Sequence, residues 1–533
     1  MRAAAEQAKV RDAKPRATKQ PAAHARGEGE GARLREGPAP ELMRASFALE
    51  LADAPILYRG LSFADMAHVL VLRDAGVIPK ADARRLLDLL LELHELPLER
   101  FPLDPALEDV STNREAWVRK RDAEAAGWLG AGRPRREPAT IAYRIAVRER
   151  LLRLAAATIA LGRALVAQAK RHVGTIAPDY TYLQPATPTS LAHYLLSFAY
   201  PLLRDLDRLR AAFARTNQCP GGIGNINGSR LPMDRRRLAE LLGFDGPVVH
   251  TRDAMWQVDQ PVELMAQVTM LLLHADRLAE DLQIWNTAEF SLVELADRHA
   301  RISMIMPQKK NPYSLAFVRG MTGSALGRLA SMAAVGKTPS AQMDNRIFPL
   351  GEVPRTLEKA AETVELMAAV VDAVGFDVER MRASAGRGFT HAMDLAEAIT
   401  REAGVPYRPA HRVVGLAVRT ALERDPDART IPPDVLEEAA QKVLGRALRL
   451  PRRVLATVED PAAVVATRTC LGGAAEAPVR AMIRDCTTQL DAAERWRRSV
   501  AARISRAEER LLARARASRS GVRKVSGARR AQP

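Results

Sequence analysis

The sequence has very few cysteines and no recognisable metal-ligand spacing. Its three cysteines, Cys219, Cys470 and Cys486, stand far apart in 533 residues, which is typical of reduced cytosolic thiols and not of a disulfide framework. The ten histidines show no His-Glu-x-x-His or similar pattern, the spacing by which zinc sites are recognised. We therefore predict neither a disulfide scaffold nor a metal, and we expect no cofactor.

Long apolar runs are also missing. The charge-free stretch 185–203 contains Pro188, Ser190, His193 and Pro201, so it does not read as a membrane span of about 20 apolar residues. The first twenty residues hold no apolar core of the kind found in signal peptides. We predict a soluble cytoplasmic protein.

Aromatic residues make up only 5% of the chain, whereas alanine, leucine and arginine dominate, and this composition favours helices. The apolar content of 47% is ordinary for a folded protein. At 533 residues, the chain is long enough for roughly two to four domains.

The excess of positive charge is concentrated at one end. The formal net charge is +17, and residues 510–533 hold eight lysines or arginines and no acid. Such a segment is usually a solvated, disordered tail. Weak attraction to polyanions is an alternative role, but the distribution does not favour nucleic acid as the functional partner.

Five long stretches have the composition and apolar spacing of helices, and they lie at 142–172, 189–217, 253–298, 315–334 and 356–374. This pattern predicts an extended helical bundle. Residues 268–275 are apolar nearly all round, so their helix needs more partners than one chain supplies. We infer a homo-oligomer assembled through the bundle.

Apolar periodicity and the return of prolines divide the chain into five expected regions. They are a disordered tail over 1–43, an N-terminal helical domain over 44–143, a central bundle domain over 144–375, a small C-terminal helical domain over 376–512 and a basic disordered tail over 513–533.

One stretch carries most of the chemistry, and it reads Ser303-Met304-Ile305-Met306-Pro307-Gln308-Lys309-Lys310-Asn311-Pro312. Pro307 bars a regular helix, because proline lacks an N–H and restricts the preceding residue. We expect Ser303 on a loop, with Lys309 and Asn311 where the chain re-enters a helix. A hydroxyl, an ammonium and an amide close together suit a substrate carboxylate whose charge grows in the transition state. The alternative is an ordinary solvated loop.

Two further loops attract attention. From Tyr180 to Pro188, two prolines predict an extended loop before a helix, with Thr181, Tyr182 and Gln184 free to donate; the alternative is a loop that only caps the helix. Residues 220–228 are rich in glycine and asparagine. Their backbone N–H groups can cradle an anion, but a phosphate loop would need a preceding strand and a Lys-Ser/Thr pair. We favour a tight turn between helices.

Three histidines are interpreted as structural. His193 and His274 lie inside apolar helical runs, where a hydrogen-bonded core histidine is the expected role. His411 lies near a helix start and is also assigned a structural role.

These segments together resemble the argininosuccinate lyases of the fumarase/aspartase superfamily. The superfamily signature is Gly-Ser, two residues, Met, two residues, Lys, one residue and Asn; Ser303 to Asn311 fits it, with Ile302 where the family has glycine. The match extends over roughly 45–512 and includes the segments Tyr180 to Gln184, Ala279 to Leu282, Glu289 to Ser291, Val405 to His411 and Leu471 to Gly473.

The resemblance implies an all-α subunit of three domains with a central long-helix bundle, and a homotetramer with a twenty-helix core. It also implies active sites built by loops of three subunits and β-elimination of fumarate without a cofactor. Carried over to this chain, the site comprises Ser303 and Tyr182 as catalytic residues, and as substrate-binding residues Lys309, Asn311, Thr181, Gln184 and Arg135.

The chain departs from the family where protons are handled. Tyr182 replaces a histidine proposed as the acid, and Ala316 replaces the glutamate that pairs with it. Losing both predicts an exchanged proton-handling scheme, because losing one would strand the other. The family's Ser-Arg-Asn-Asp loop reads Pro-Arg-Arg-Glu over 134–137, an early loop histidine is Ser111, and the residues that grip the guanidinium half are lost over 340–346.

In the mechanism that we predict, Ser303 removes the β-proton. Its alkoxide needs backbone N–H donors on its own loop and a nearby cation. Lys309 and Asn311 then stabilise the doubly negative aci-carboxylate, and Tyr182 protonates or positions the leaving amine. The loop has to close, since water competes for each charge.

Four functions remain open at this point. The first is cleavage of argininosuccinate to arginine and fumarate, and the second is the same elimination on another N-substituted aspartate or related succinyl compound. The third is a helical oligomer that has lost its chemistry, and the fourth is polyanion binding through the basic tail. Retention of Ser303, Lys309 and Asn311 favours the two enzymatic readings.

Overall fold

The computed structural model describes residues 37–342 and 344–518, and these residues are overwhelmingly helical. Its α-helices are α1 (Pro40–Leu42), α2 (Ala48–Leu51), α3 (Ala54–Asp74), α4 (Lys80–Glu95), α5 (Val110–Arg119), α6 (Ala123–Ala126), α7 (Arg136–Arg171), α8 (Leu191–Thr216), α9 (Arg235–Leu241), α10 (Thr251–Trp256), α11 (Asp259–Trp285), α12 (Tyr313–Gly336), α13 (Asp344–Ile347), α14 (Pro349–Ala373), α15 (Val378–Ala385), α16 (Ala392–Ala403), α17 (Tyr407–Arg424), α18 (Pro433–Leu444), α19 (Arg452–Glu459), α20 (Pro461–Ala466) and α21 (Glu476–Ala517). A π-helical stretch covers Met43–Phe47, and short 3₁₀ helices cover Leu98–Arg100, Pro105–Leu107 and Asp297–His299.

Eight short strands form four two-stranded sheets in the described part of the chain. They are β1 (Ile176–Thr181), β2 (Gln184–Ser190), β3 (Gln218–Cys219), β4 (Gly246–Pro247), β5 (Val293–Glu294), β6 (Arg301–Ile302), β7 (Lys310–Asn311) and β8 (Gly375–Phe376). The pairs β1–β2, β5–β8 and β6–β7 are antiparallel, and β3–β4 is parallel. Because the helices dominate and the strands are short, the all-α fold class with a central long-helix bundle is confirmed.

Helix α7 is the centre of the bundle. It packs against α3, α8, α14 and α21, and α11 packs against α8, α12 and α14. The backbones approach closely where residues are small: a Cβ added to Gly60 of α3 would lie 2.7 Å from the Cα of Ala142 in α7. A larger residue at position 60 would push the two helices apart.

By length and composition alone, α7 is long and apolar enough to cross a membrane, which the sequence analysis did not predict. The 18-residue window of α7 that passes has a mean hydropathy of 1.4, and 72% of it is buried inside the protein. A helix buried to this extent is a core helix, and its apolar residues are covered by the neighbouring helices.

Two helices differ from their expected lengths. The stretch expected over 253–298 is divided into α10 and the longer α11, which ends at Trp285. The chain turns after Trp285, where the Asn286 side chain donates to the carbonyl of Val293 at 3.0 Å. Strand β5 begins at Val293. Helix α14 begins at Pro349, before the expected 356, with Pro354 inside its first turns.

A second, smaller hydrophobic core lies between residues 389 and 458 and is formed by α16 to α19. The last helix, α21, does not belong to it. Side chains of α21 from Val479 to Ala515 are buried in the main core, against α7, α8, α3 and α4. The region expected over 376–512 thus contains a compact small domain and one long helix that returns to the bundle.

The other expected domain boundaries do not coincide with the ends of the observed helices and strands. The division at 143/144 falls inside α7, and the one at 375/376 falls inside β8. Helix α21 runs to Ala517, with Ala515 fully buried, so the tail expected from 513 does not begin there. Helix α1 likewise begins at Pro40, inside the tail expected over 1–43. Residues 1–36 and 519–533 of the two expected tails lie outside the described residues.

Helix α12 leaves a broad face uncovered, because its buried residues form a single stripe. Phe317 and Leu326 are exposed, and a Cβ added to Gly320, Gly323 or Gly327 would meet open space. The helix expected to need outside partners, α11, is instead covered over 268–275 by its own chain, with Val268, Leu271, Leu272 and Ala275 buried and only Leu273 exposed among its leucines there. A helix rich in small and apolar residues that leaves so much of its surface open is typical of a surface that another chain covers.

Candidate active site

The signature stretch forms a hairpin and not the direct entry to a helix that its sequence suggested. Strands β6 and β7 pair Arg301 with Asn311 and Ile302 with Lys310, and helix α12 begins only at Tyr313. The Asn311 side chain donates to the carbonyl of Arg301 at 3.1 Å and fixes the base of the hairpin. The tip, from Met304 to Lys309, is exposed.

Ser303 lies just after β6 and is held by its own loop. Its N–H donates to the carbonyl of Lys309 at 3.2 Å. Its Oγ accepts from the backbone N–H of Met306 at 3.1 Å and more weakly from that of Ile305 at 3.4 Å. Two N–H dipoles aimed at one hydroxyl oxygen favour its ionised form, and these are the donors that the sequence reasoning required.

Two lysines of the hairpin differ in their surroundings. Lys310 forms ion pairs with Asp297 at 2.8 Å and with Glu294 at 3.2 Å, and these carboxylates raise its pKa. Lys309 is exposed at the tip. Lys310 is therefore occupied in fastening the hairpin to the preceding segment, whereas Lys309 extends from its exposed tip.

The second site segment is also a hairpin. Strands β1 and β2 pair Thr181 with Gln184, so Tyr182 and Leu183 form a two-residue turn, with φ values of 55° and 59°. Two successive positive φ angles belong to a turn that normally uses glycine or asparagine. Backbone strain in non-glycine residues is concentrated at functional sites. The Tyr182 side chain is 99% exposed, and Thr181 and Gln184 are exposed beside it.

An open cleft of about 750 Å³ runs beside this hairpin. Tyr180, Leu183 and Pro185 line it on one side, and Phe290, whose ring lies 5.7 Å from that of Tyr180, on another. Arginines and acids complete the lining at Glu289, Asp377, Glu379, Arg380 and Arg387. The segment Glu289 to Ser291, which the sequence linked to the family, is thus next to the Tyr182 hairpin.

The third group surrounds Arg135. Its guanidinium forms an ion pair with Glu108 and another with Asp109 at 3.5 Å. The next residue, Arg136, pairs with Glu50 and, at 3.8 Å, with Asp109. Burial raises the pKa of Asp109, although the hydrogen bond from the Thr112 N–H and the charge of Arg136 oppose this shift. The loop before α5, with Glu108 and Asp109, and the loop before α7, with Arg135, therefore meet through these charges.

Asp65 of α3 ties the same two loops together, and sequence reasoning missed it. Its carboxylate accepts from Arg114 at 3.2 Å and from Arg133 at 2.7 Å, and all three side chains are buried. A buried acid between two arginines is apparent only after α3 has been packed against both loops. An acid inside an apolar helical run was the one sequence signal, and it is weak.

The glycine-rich loop 220–228 does bind an anion on its backbone, and that anion is the chain's own Glu137. The carboxylate accepts from the N–H of Gly222 at 2.7 Å and of Ile223 at 3.2 Å. Gly222, Gly224 and Gly228 have positive φ values. Burial raises the pKa of Glu137, and the two N–H donors oppose this shift.

The histidines have the structural surroundings expected of them. His193 contacts Thr189 Oγ1 at 3.3 Å through Nδ1 and the carbonyl of Gly472 at 3.0 Å through Nε2. His274 Nδ1 lies 2.6 Å from the buried Asp205. His411 lies in the second turn of α17, its ring 6.2 Å from that of Tyr407. Within the described residues, no cluster of three or more His, Cys, Asp or Glu side chains is arranged to hold a metal ion.

The segment 340–346 turns its last side chains inward. Arg346 is buried and donates to Thr140 Oγ1 and to the carbonyl of Met255. Asn345 is buried beside it. Both side chains are therefore directed into the protein interior and away from its surface.

In a single subunit, the predicted site residues fall into three exposed groups. They are the signature hairpin with Ser303, Lys309 and Asn311, the β1–β2 hairpin with Thr181, Tyr182 and Gln184, and the loop with Arg135. Among the described residues, the recorded hydrogen bonds of Ser303 and Asn311 stay inside the signature hairpin. One chain thus presents the groups on its surface without joining the first two.

Comparisons with known proteins agree with this arrangement of elements. A family model described as lyase matches residues 39–327, and a model described as argininosuccinate lyase C-terminal matches residues 389–464. The second range coincides with the small core of α16 to α19. The argininosuccinate lyase of Methanoculleus marisnigri is 36% identical over 456 residues, covering 85% of this chain and 91% of that protein.

Further relatives extend the likeness to nearly the full length. The argininosuccinate lyase of Methanosarcina acetivorans is 32% identical over 485 residues, covering 90% of this chain and 96% of that protein. The crystal structure of EDDS lyase in complex with formate is 29% identical, with a TM-score of 0.83, over 92% of this chain and 98% of that one. This chain belongs to the fumarase/aspartase superfamily of lyases, within its argininosuccinate lyase-like branch.

Proposed function

We propose that this chain releases fumarate from an N-substituted aspartate, with Ser303 as the base. Membership of the branch makes the chain a fumarate-releasing carbon–nitrogen lyase; the substrate class and the residue roles are our proposal. The observation that carries it is the Ser303 Oγ, which accepts from the N–H of Met306 and of Ile305 at an exposed hairpin tip. These dipoles stabilise an alkoxide that a free serine does not sustain.

Ser303 takes the proton from the carbon next to the distal carboxylate of the succinyl half. The electrons of the broken C–H bond enter that carboxylate and give the aci-carboxylate dianion. Lys309 and Asn311 stabilise the dianion, because a preorganised cation and an amide donor act most strongly where charge develops. The dianion then collapses, the C–N bond breaks, and the electron pair leaves with the amine.

The remaining residues bind the substrate and protonate the departing amine. Thr181 and Gln184 flank the exposed turn and bind carboxylate oxygens of the succinyl half, and Arg135 supplies a second cation. Tyr182 gives its hydroxyl proton to the departing amine. Its position at the tip of a strained turn supports a functional role, since a tyrosine without one would gain by a relaxed conformation.

The site is completed by neighbouring subunits. The three groups of one chain are exposed and separate, which is the arrangement expected when each site takes one group from each of three chains. The open face of α12, with Phe317 and Leu326 exposed, directly follows the signature hairpin. Assembly into a homotetramer through this face covers apolar surface and carries the signature hairpin to the other groups. We further place the enzyme in the cytoplasm.

Two substrates follow from different observations. The relatives named argininosuccinate lyase, at 32–36% identity, favour argininosuccinate. The inward-turned Arg346 and Asn345, the Tyr182 and Ala316 exchange and the likeness to EDDS lyase favour a different amine half. The retained groups all act on the succinyl half, which is common to both substrates.

The test is fumarate release, followed by its absorbance, from argininosuccinate, EDDS and a panel of aspartates with other amines on nitrogen. We expect turnover of at least one member by the assembled enzyme and none by Ser303→Ala. Turnover of argininosuccinate at ordinary enzyme rates, about 1 to 10³ per second, would settle the substrate in its favour. Release from none of them would contradict the proposed substrate class.

A further inference from the structure

The molecule buries two arginines that have only neutral partners. Arg346 contacts Thr140 Oγ1 and the carbonyl of Met255. Arg144 donates to the carbonyls of Arg215 at 3.1 Å, Thr216 at 3.3 Å and Gln218 at 3.1 Å, and to the Gln257 side chain. Neither forms an ion pair with a carboxylate in the described part of the chain, where most other buried arginines do.

Both guanidinium groups line one small cavity between α7, α10, α11 and the turn before α14. The cavity has a volume of about 20 Å³, and its other polar lining groups are Tyr143, Gln257, Gln260 and Asn345. A volume above roughly 10–15 Å³ holds one particle the size of a water molecule. The tyrosine hydroxyl is itself donating to Gln260, at 3.1 Å.

Polar atoms at this cavity lack partners. Arg346 Nε and Asn345 Oδ1 are buried without a hydrogen bond. An N–H donor left unpaired inside a protein costs about 1–3 kcal/mol, and more when it is charged. The Asn345 amide presents N–H donors instead of an oxygen when it rotates by 180°, because its two ends are nearly isosteric.

Asp253 and Asp259 are close enough to attract Arg144, but no acid among the described residues lines the cavity itself. Arg136 is close enough to repel Arg346 further, and Arg136 is itself paired with Glu50. Burial lowers the pKa of Arg346 to about 10, which is still far above neutral pH. Two charged guanidinium groups therefore line one small cavity that no acid lines, a situation that folded proteins usually avoid by pairing.

We propose that this cavity binds one small monovalent anion of halide size, held between the guanidinium groups of Arg144 and Arg346. The anion neutralises the two buried cations and accepts from Arg346 Nε and from the rotated Asn345 amide. It also joins the first turns of α7 to α13, close behind Arg135 and Arg136. Gluconate and other bulky anions do not fit a cavity of this volume.

The test is thermal unfolding of the full chain in sodium bromide or sodium gluconate at constant ionic strength. We expect Tm to rise with bromide and to saturate, because a ligand that binds only the folded state stabilises it by mass action. Arg346→Gln should abolish the saturating rise. Arg150→Gln, in the helix α7 that also carries Arg144, removes an arginine that is paired with Glu358 at 3.1 Å and should keep the rise. Equal Tm curves in the two salts for the unaltered chain would overturn the proposal.

Asn345→Asp provides the check if Arg346→Gln fails to fold. It places a permanent carboxylate where the anion binds, so Tm should be higher without halide and no longer respond to bromide. Crystals of the unaltered chain grown in bromide should show an anomalous peak between Arg144 and Arg346. A cavity without that peak, or an Asn345→Asp variant that still responds to bromide, would show that only water is bound.

Discussion

Ser303 holds its hydroxyl oxygen in front of two backbone N–H groups at the end of an exposed hairpin. A hydroxyl in water gains nothing from ionising near neutral pH, so the loop has to supply the difference. In the proposed mechanism, hydrogen bonds from the N–H groups of Ile305 and Met306 lower the free energy of the alkoxide, and closure of the site would remove the water that competes.

Replacing Ser303 with alanine should reduce fumarate release by about 10³-fold or more, because the base is lost altogether. The free energy of unfolding should fall by no more than about 1 kcal/mol, since only exposed hydrogen bonds disappear. Steady-state kinetics and denaturant unfolding measure the two effects. Ser505→Ala, at an exposed position of α21, serves as the control and should leave both unchanged. Retention of activity by Ser303→Ala would exclude Ser303 as the base.

Tyr182→Phe separates a proton transfer from simple contact. The ring and the turn remain, so only the hydroxyl is lost. We expect kcat to fall by about 10²-fold, within the range of general acid catalysis, with little change in KM. The neighbouring Tyr180→Phe should keep close to the unaltered kcat. Equal kcat values for Tyr182→Phe and the unaltered enzyme would assign the proton to another group.

Asp53 gives the stability of the protein a pH dependence of its own. It pairs with Arg355, yet burial outweighs this attraction and raises its pKa to about 6. The unfolded chain, with a pKa near 3.8 for this group, loses the proton first as pH rises, so the folded state is disfavoured progressively between about pH 4 and pH 6.

The Asp53→Asn variant lacks that titration. Its free energy of unfolding relative to the unaltered chain should therefore rise by up to about 3 kcal/mol between pH 4 and pH 7, at about 1.4 kcal/mol per pKa unit. Urea unfolding at several pH values measures this difference. A difference that stays constant with pH would mean that Asp53 has an ordinary pKa in the folded state.

At the scale of elements, short hairpins and loops position the site while the long helices supply rigidity. The hairpin of β6 and β7 is fastened by Lys310 to Asp297 and Glu294. The hairpin of β1 and β2 packs against α15. Each hairpin is thus anchored at its base and free at its tip, which allows the tips to close over a ligand.

Glu137 has a comparable role between two elements. It lies in the first turn of α7. Its carboxylate accepts from the N–H groups of Gly222 and Ile223 in the loop 220–228. Glu137→Ala should destabilise the protein by about 2–4 kcal/mol, because two buried donors lose their acceptor. Denaturant unfolding measures the change. Glu362→Ala removes an exposed ion pair with Lys359 and should cost less than about 1 kcal/mol. Similar losses in the two variants would refute this assignment to Glu137.

At the scale of the whole molecule, the proposed tetramer is assembled through the open face of α12, and fumarate release is expected to depend on it. Leu326 is 47% exposed on this face. Leu326→Glu should split the tetramer, because a charge buried between apolar helices costs several kcal/mol, and activity should be lost with the assembly. Light scattering after size exclusion and fumarate release measure both effects.

Leu422→Glu is the matched control, since Leu422 is 40% exposed on α17 of the small domain. It should leave size and activity unchanged. An active monomer of Leu326→Glu would show that one subunit holds a complete site, and an intact tetramer would place the interface elsewhere.

The sequence by itself determined the fold class, because helical composition and apolar spacing over long stretches leave few alternatives to a bundle. It also determined the branch of the superfamily, through separated segments in a fixed order. It predicted the signature stretch as the candidate site but gave Lys309 and Asn311 the wrong local structure. A hairpin of two-residue strands depends on the pairing of Ile302 with Lys310, which no periodicity reveals.

Only the tertiary structure decided which charges meet. Glu137 and the loop 220–228 are about 85 residues apart, and Asp65 reaches two arginines 49 and 68 residues away. The burial of Arg346 without an acid is likewise a matter of packing. Local propensity fixes a helix from its neighbours in sequence, whereas an electrostatic contact depends on distances in space, and those exist only after the helices have packed.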